Sequence, residues 1–196
     1  NSFHSFFLSF IFYCLFLFLT LKKRRSIHAN RAGTKGFRAP EIILRERYQT
    51  GAIDVWSAGV ILLSVITGRY PFFLAGDDAD AIVELASVFG FDSISELAEA
   101  KKLSIVTNLP LTHKRPPLEV LCKMLNEETI KSWSDHDYKE AISLLKMCLK
   151  VDSSERITAE EALKHPFLLS LDDEDVSIAT VTKEGEQKQK SSPQQR

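Results

Sequence analysis

Residues 53–67 read Ile53-Asp54-Val55-Trp56-Ser57-Ala58-Gly59-Val60-Ile61-Leu62-Leu63-Ser64-Val65-Ile66-Thr67. Apolar side chains fall on every face of a helical spiral, with only small polar residues between them. A helix that is apolar all round is a buried one. The run is shorter than the ~17–25 residues a membrane span needs. Gly68 and then Pro71 supply stop signals. The stretch therefore predicts the central helix of a globular domain.

The segments around it read as amphipathic helix and loop. Ile82, Leu85, Ala86 and Phe89 recur at helical spacing and give 78–89 one apolar face. Ser93-x-x-Glu96 has the form of a capping box and predicts a short helix start. Pro110 to Pro117 reads as a loop with a basic Lys114-Arg115 pair. Residues 117–125 predict a helix carrying Leu118, Leu121, Cys122 and Leu125. Asp137-x-x-Glu140 predicts the start of another, with Ala141, Ile142, Leu145 and Leu149 on its face. Thr158-x-x-Glu161 is a third box, opening a short helix that Pro166 must end. No convincing strand emerges, so the expected class is mainly α.

Composition limits what such a domain can be. The chain has 196 residues, 44% hydrophobic and 26% charged, with a net charge of −1. These values exclude collagen, wholesale disorder and a multi-span membrane protein. No basic field argues for direct nucleic-acid binding. Cys14, Cys122 and Cys148 lie far apart and form no Cys-x-x-Cys pair, so neither a disulfide framework nor a metal site is expected. The five histidines show no ligand spacing.

The averages hide three unequal parts. Residues 1–28 form an apolar and basic leader, with seven phenylalanines between Phe3 and Phe18 and then Lys22-Lys23-Arg24-Arg25. Translated intron fits it best, a membrane or targeting segment next, and a buried element least. The chain opens on Asn1 rather than Met, which fits a fragment or an incomplete gene model. Residues 29–171 are the candidate globular unit. Residues 172–196 are polar, run through Asp172 to Asp175, and have too few apolar residues to pack.

Three further motifs stand in order along the globular unit. Residues 33–41 read Gly-Thr-Lys-Gly-Phe-Arg-Ala-Pro-Glu. Asp54-x-Trp56-Ser57-x-Gly59 follows. Arg156 comes later, within Asp-Ser-Ser-Glu-Arg-Ile-Thr-Ala-Glu-Glu-Ala-Leu-Lys-His-Pro-Phe. Each is weak alone. In this order and spacing they resemble the eukaryotic protein kinases, from the end of the activation segment onward, over about residues 31–169. Arg31-Ala-Gly-Thr-Lys-Gly-Phe, Ala-Ile-Asp-Val-Trp-Ser and Gly-Arg-Tyr-Pro-Phe with its following Gly-Asp-Asp are similar to the cell-division-cycle-seven kinases. The runner-up is another nuclear serine/threonine kinase.

That resemblance implies the C-terminal lobe of the kinase fold without the N-terminal β lobe. It implies that Thr34, Lys35, Gly36, Phe37 and Arg38 shelve the substrate beside its phosphoacceptor, with Thr34 orienting a catalytic aspartate. Lys35 or Arg38 would then favour acidic substrates; a solvated loop charge is the plainer alternative for Lys35. Ala39, Pro40 and Glu41 close the segment, Glu41 pairing with Arg156. Asp54, Trp56 and Gly59 belong to the central helix, where Asp54 would hold the catalytic-loop backbone or simply sit as a helix N-terminal acid. The resemblance also implies protein substrates, an activator subunit, a role in starting DNA replication, and the nucleus.

Phosphoryl transfer in such kinases needs a Gly-rich loop, a strand lysine, a catalytic Asp and Asn, and a metal-binding Asp-Phe-Gly. The sequence contains no Gly-x-Gly-x-x-Gly, His-Arg-Asp or Asp-Phe-Gly, and no acid precedes Arg31. ATP and Mg2+ thus belong to the full-length family, with none expected on this chain alone. No catalytic or metal-ligating residue is assigned. The expectations are a piece of an active kinase, an inactive binding module, or a tethered fragment.

Overall fold

The computed structural model describes the backbone of residues 27–28 and all of residues 33–107 and 115–169. Most of the leader, the tail from residue 170, and the loop from Asn108 to Lys114 lie outside the described residues, and so do the expectations placed on them. The elements run β1 (Ile27–His28), α1 (Pro40–Ile43), β2 (Tyr48–Gln49), α2 (Ala52–Thr67), α3 (Asp78–Phe89), α4 (Phe91–Ala100), α5 (Leu118–Leu125), α6 (Glu127–Ile130), α7 (Asp135–Cys148) and α8 (Ala159–Ala162). The mainly α class holds, with one correction. β1 and β2 form a short antiparallel ladder, pairing Ile27 with Gln49 and His28 with Tyr48. Two-residue strands are too short to leave an alternating pattern in the sequence.

The central helix is α2. Val55, Trp56, Val60, Leu62, Leu63 and Ile66 are all buried on it. Its two deepest hydroxyls are satisfied along the helix: Ser64 Oγ donates to the Val60 carbonyl at 2.8 Å and Thr67 Oγ1 to Leu63 at 2.7 Å. Gly68 ends the helix with φ +65°, a left-handed conformation that suits glycine. Asn126 Nδ2 donates to the Ile66 carbonyl at 2.9 Å, covering that end from the α5–α6 corner. Helix α7 crosses very close to α2. A Cβ on Gly59 would lie 2.9 Å from Cys148 Cβ and 2.8 Å from Leu149 Cδ2, so only glycine admits the approach.

Two helix starts differ from the sequence reading. α4 begins at Phe91, before the Ser93 box, because Gly90 at φ +90° turns the chain sharply out of α3. Ser93 then lies inside the helix and makes no cap. α7 begins at Asp135 rather than beyond Asp137. Ser134 captures the Asp137 N–H at 3.0 Å, and Asp137 Oδ2 accepts the Ser134 hydroxyl at 2.7 Å. The Thr158–Glu161 box closes in both directions, at 3.2 and 2.9 Å. The two described cysteines, Cys122 and Cys148, are buried free thiols, each pushed up to about 12 by burial. Thiols so raised are inert packing groups. Among the described residues no helix is long and apolar enough to cross a membrane.

Candidate substrate-binding segment

Residues 33–41 form one irregular strip across the face of α2, held differently at its two ends. Two glycines bend it, Gly33 at φ +85° and Gly36 at φ +81°. A tight turn follows, with the Phe37 N–H donating to the Thr34 carbonyl at 3.1 Å. Ser57 Oγ lies 3.0 Å from the Phe37 carbonyl, fastening the turn to α2. The Phe37 ring stands 6.1 Å from Tyr70.

The two cations of the strip differ in their partners. Arg38 Nε donates to the Gly33 carbonyl at 3.0 Å, and its Nη1 lies 3.6 Å from Asp78 Oδ1 at the start of α3. Lys35 Nζ donates to the Gly76 carbonyl. A carbonyl brings no opposite charge to the ammonium, and Lys35 is exposed. Arg38, facing a carboxylate, is partly offset. Thr34 is exposed, and the aspartate it would orient is not among the described residues.

The far end goes inside. Ala39 and Pro40 are buried where α1 begins, with proline at the first helical position, where a missing N–H costs nothing. Glu41 is 3% exposed and Arg156 5%. They meet as a fork on a fork: Nη1 to Oε1 at 2.8 Å and Nη2 to Oε2 at 2.9 Å, across 115 positions of sequence. Arg156 also donates to the carbonyls of Ala52 at 2.7 Å, Lys150 at 3.0 Å and Val151 at 3.3 Å. Its five N–H donors are thereby all used. The guanidinium sits 5.1 Å from the centre of the fully buried Trp56 ring, a cation–π contact. One side chain ties the strip, the start of α2 and the chain after α7 together.

Asp54 lies half-buried in the first turn of α2. The backbone it is expected to hold lies outside the described residues. His165 proves a packing residue: Nδ1 accepts the Phe167 N–H at 3.2 Å and Nε2 contacts Ser143 Oγ at 3.2 Å. The sequence reading missed Ser57's role on Phe37. It also missed Glu84, whose carboxylate accepts the N–H groups of Leu74 at 3.0 Å and Ala75 at 3.1 Å. A polar residue on an amphipathic helix carries no signal of such a contact.

Among the described residues no three His, Cys, Asp or Glu side chains converge to hold a metal ion, and the sequence has no Gly-rich phosphate loop.

Residues 19–168 match the family described as "Protein kinase domain". The chain belongs to the protein kinase family. The match begins earlier than the motifs alone suggested. The chain is 46% identical over 143 residues to "Probable serine/threonine-protein kinase cdc7" of Dictyostelium discoideum, covering 72% of this chain and 13% of that protein. It is 43% identical over 150 residues to "Probable cell division control protein 7 homolog 2" of Encephalitozoon cuniculi, covering 74% and 40%. It is 39% identical over 153 residues to "Cell cycle serine/threonine-protein kinase hsk1" of Schizosaccharomyces pombe, covering 74% and 30%. Its likeness is therefore to serine/threonine kinases of the cell-division-cycle-seven type. The chain spans well under half the length of each of these relatives.

Proposed function

We propose that residues 33–169 are the substrate-presenting part of the C-terminal lobe of a nuclear serine/threonine kinase that acts in the cell cycle, at the start of DNA replication. In the whole protein, ATP with Mg2+ would supply the phosphoryl group, an activator subunit would bind, and the substrates would be proteins. The observation that carries the reading is the strip 33–41. A bidentate pair buried at Glu41 anchors one end. The other end is held by the Lys35 contact to the Gly76 carbonyl and the Arg38 contact to Asp78, with Lys35 exposed on it. Such a cation suits substrates with acidic side chains beside the accepting hydroxyl.

Two measurements test this. Purified 1–196 with ATP and Mg2+ is expected to give no labelling of an acidic serine-bearing protein and no thermal shift, because its sequence carries no Gly-rich loop, His-Arg-Asp or Asp-Phe-Gly. Labelling that vanishes on Asp54→Ala would overturn that. In an intact kinase carrying this lobe, Lys35→Glu is expected to raise the KM of an acidic peptide about tenfold, the scale of one lost charge-assisted contact. An unchanged KM would remove the role given to the strip. The missing Gly-rich loop, His-Arg-Asp and Asp-Phe-Gly favour a second reading for the isolated chain, a binding module that competes for the activator. Pull-down of that subunit by 1–196 distinguishes it.

A further inference from the structure

Gly76, the acceptor for Lys35, is exposed, and a Cβ built on it would meet nothing within 4 Å. No side-chain packing therefore sets the direction of its carbonyl; the neighbouring backbone must. On its C-terminal side, Asp77 caps α3, its Oδ1 accepting the Asp80 N–H at 2.9 Å. On its N-terminal side, Glu84 reaches back from the second turn of α3. Its Oε1 and Oε2 lie 3.0 and 3.1 Å from the Leu74 nitrogen, and Oε2 lies 3.1 Å from that of Ala75.

The loop touches the strip at two points that bracket this clamp. At one, the Phe73 carbonyl lies so close under Gly36 that a Cβ there would sit 2.7 Å from its oxygen. At the other, the Gly76 carbonyl receives the Lys35 ammonium. Leu74 and Ala75 lie between these points, and Glu84 holds both of their N–H groups. Charge-assisted bonds to a carboxylate are about twice as strong as neutral ones. The carboxylate therefore fixes the span between the two contacts.

We infer that Glu84 is a positioning residue for the substrate segment, setting the placement of Lys35 and the Gly36–Phe37 turn through residues 73–76. This rests on the reading of 34–38 as the substrate shelf. Glu84 touches no substrate itself; it acts through the loop.

The test uses three variants of the 196-residue chain. Glu84→Ala removes both acceptors, and Glu84→Asp keeps the charge but shortens the reach. Glu84→Gln keeps an oxygen that can accept both N–H groups. Amide hydrogen exchange at Phe37 and acylation of Lys35 by an N-hydroxysuccinimide ester are followed. Ala and Asp are expected to speed both about tenfold, and Gln, left with one neutral acceptor oxygen, by a smaller factor of about three. Acceleration confined to Leu74 and Ala75 overturns the proposal, because Glu84 would then brace only its own loop. Asp rates within about twofold of wild type also overturn it, since the reach of the carboxylate to both N–H groups would then not matter. If the Ala variant fails to fold, the Asp and Gln pair makes the same distinction. In an intact kinase carrying this lobe, Glu84→Ala should raise peptide KM with kcat within about twofold of wild type. A KM that responds to Lys35→Ala but not to Glu84→Ala sinks this inference alone. A KM that responds to neither sinks the shelf as well.

Discussion

The two ends of the strip 33–41 hold charge in opposite ways. At Glu41 the carboxylate is buried, and both its oxygens are committed to Arg156. At Lys35 and Arg38 the cations are met by a carbonyl and by a carboxylate 3.6 Å away. A buried pair is costly to break, because removing one partner strands the other in a low dielectric. A half-buried pair 3.6 Å apart gains little, because water still solvates both charges. The strip thus joins the lobe through a buried ion pair and carries its cations, Lys35 and Arg38, at the other end.

The sharpest way to break this contrast is Glu41→Ala. It leaves Arg156 buried with its fork unmatched, and the expected loss is about 3–5 kcal/mol. Glu99→Ala on the exposed side of α4 should stay within about 0.5 kcal/mol. Urea unfolding followed by circular dichroism measures both. Equal losses would mean the buried pair contributes no more than a surface carboxylate.

Glycines extend the contrast to backbone packing. At Gly59→Ala the new methyl meets Cys148 and Leu149 inside 3 Å, and α7 must move away from α2. Overpacking of that kind costs about 1–3 kcal/mol. Gly76→Ala, in open space on the loop, should be neutral or stabilising by up to about 1 kcal/mol, since it narrows the unfolded ensemble. Thermal melts of the two variants that moved in the same direction by the same amount would contradict this picture of where the chain is tight.

Much of this was legible in the sequence, and the physical reason differs by element. The run 53–67 announced a buried helix because apolar side chains fall on every face of it. Glu41 and Arg156 were legible only through the order of motifs, since no local pattern joins positions 115 apart. The starts of α4 and α7 were misplaced where one residue outbid another: Gly90 by turning the chain earlier, and Ser134 by reaching an N–H first. Ser57 and Glu84 were not legible. Their partners are backbone groups, and a backbone N–H or carbonyl looks the same under every side chain. Lys35 and Arg38 were read alike from the sequence, and only their partners separate them.

His165 tests the buried side by pH. Burial holds its imidazole below the ordinary 6.5, with Glu140 opposing weakly. In the fold Nδ1 accepts the Phe167 N–H, so the neutral ring is the bonded form. The unfolded chain therefore binds the proton more readily. Stability from this group is fully present above about pH 6.5 and falls as pH drops below it. His165→Gln should flatten the slope of stability between about pH 6.5 and 5. A slope unchanged in the variant would place the titration elsewhere.

The smallest effect belongs to Glu46 and Lys101, an ion pair at 2.7 Å that ties the stretch after α1 to the end of α4. The Lys101 bond and the Tyr48 and Arg47 N–H groups hold the Glu46 carboxyl below its usual 4.5, against a small opposing effect of burial. A depressed carboxyl stabilises above its unfolded value, so this contribution is present above about pH 4.5 and lost as pH falls through the folded value. Its side chains are 30% and 22% exposed, which keeps water and salt in reach. A double-mutant cycle of Glu46→Gln and Lys101→Met should give a coupling of about 0.2–1 kcal/mol, shrinking as salt is raised. Glu41 and Arg156, out of contact with solvent, should hold their coupling over the same salt range. If the Glu46 pair proved equally insensitive to salt, exposure would not be what separates the two kinds of contact.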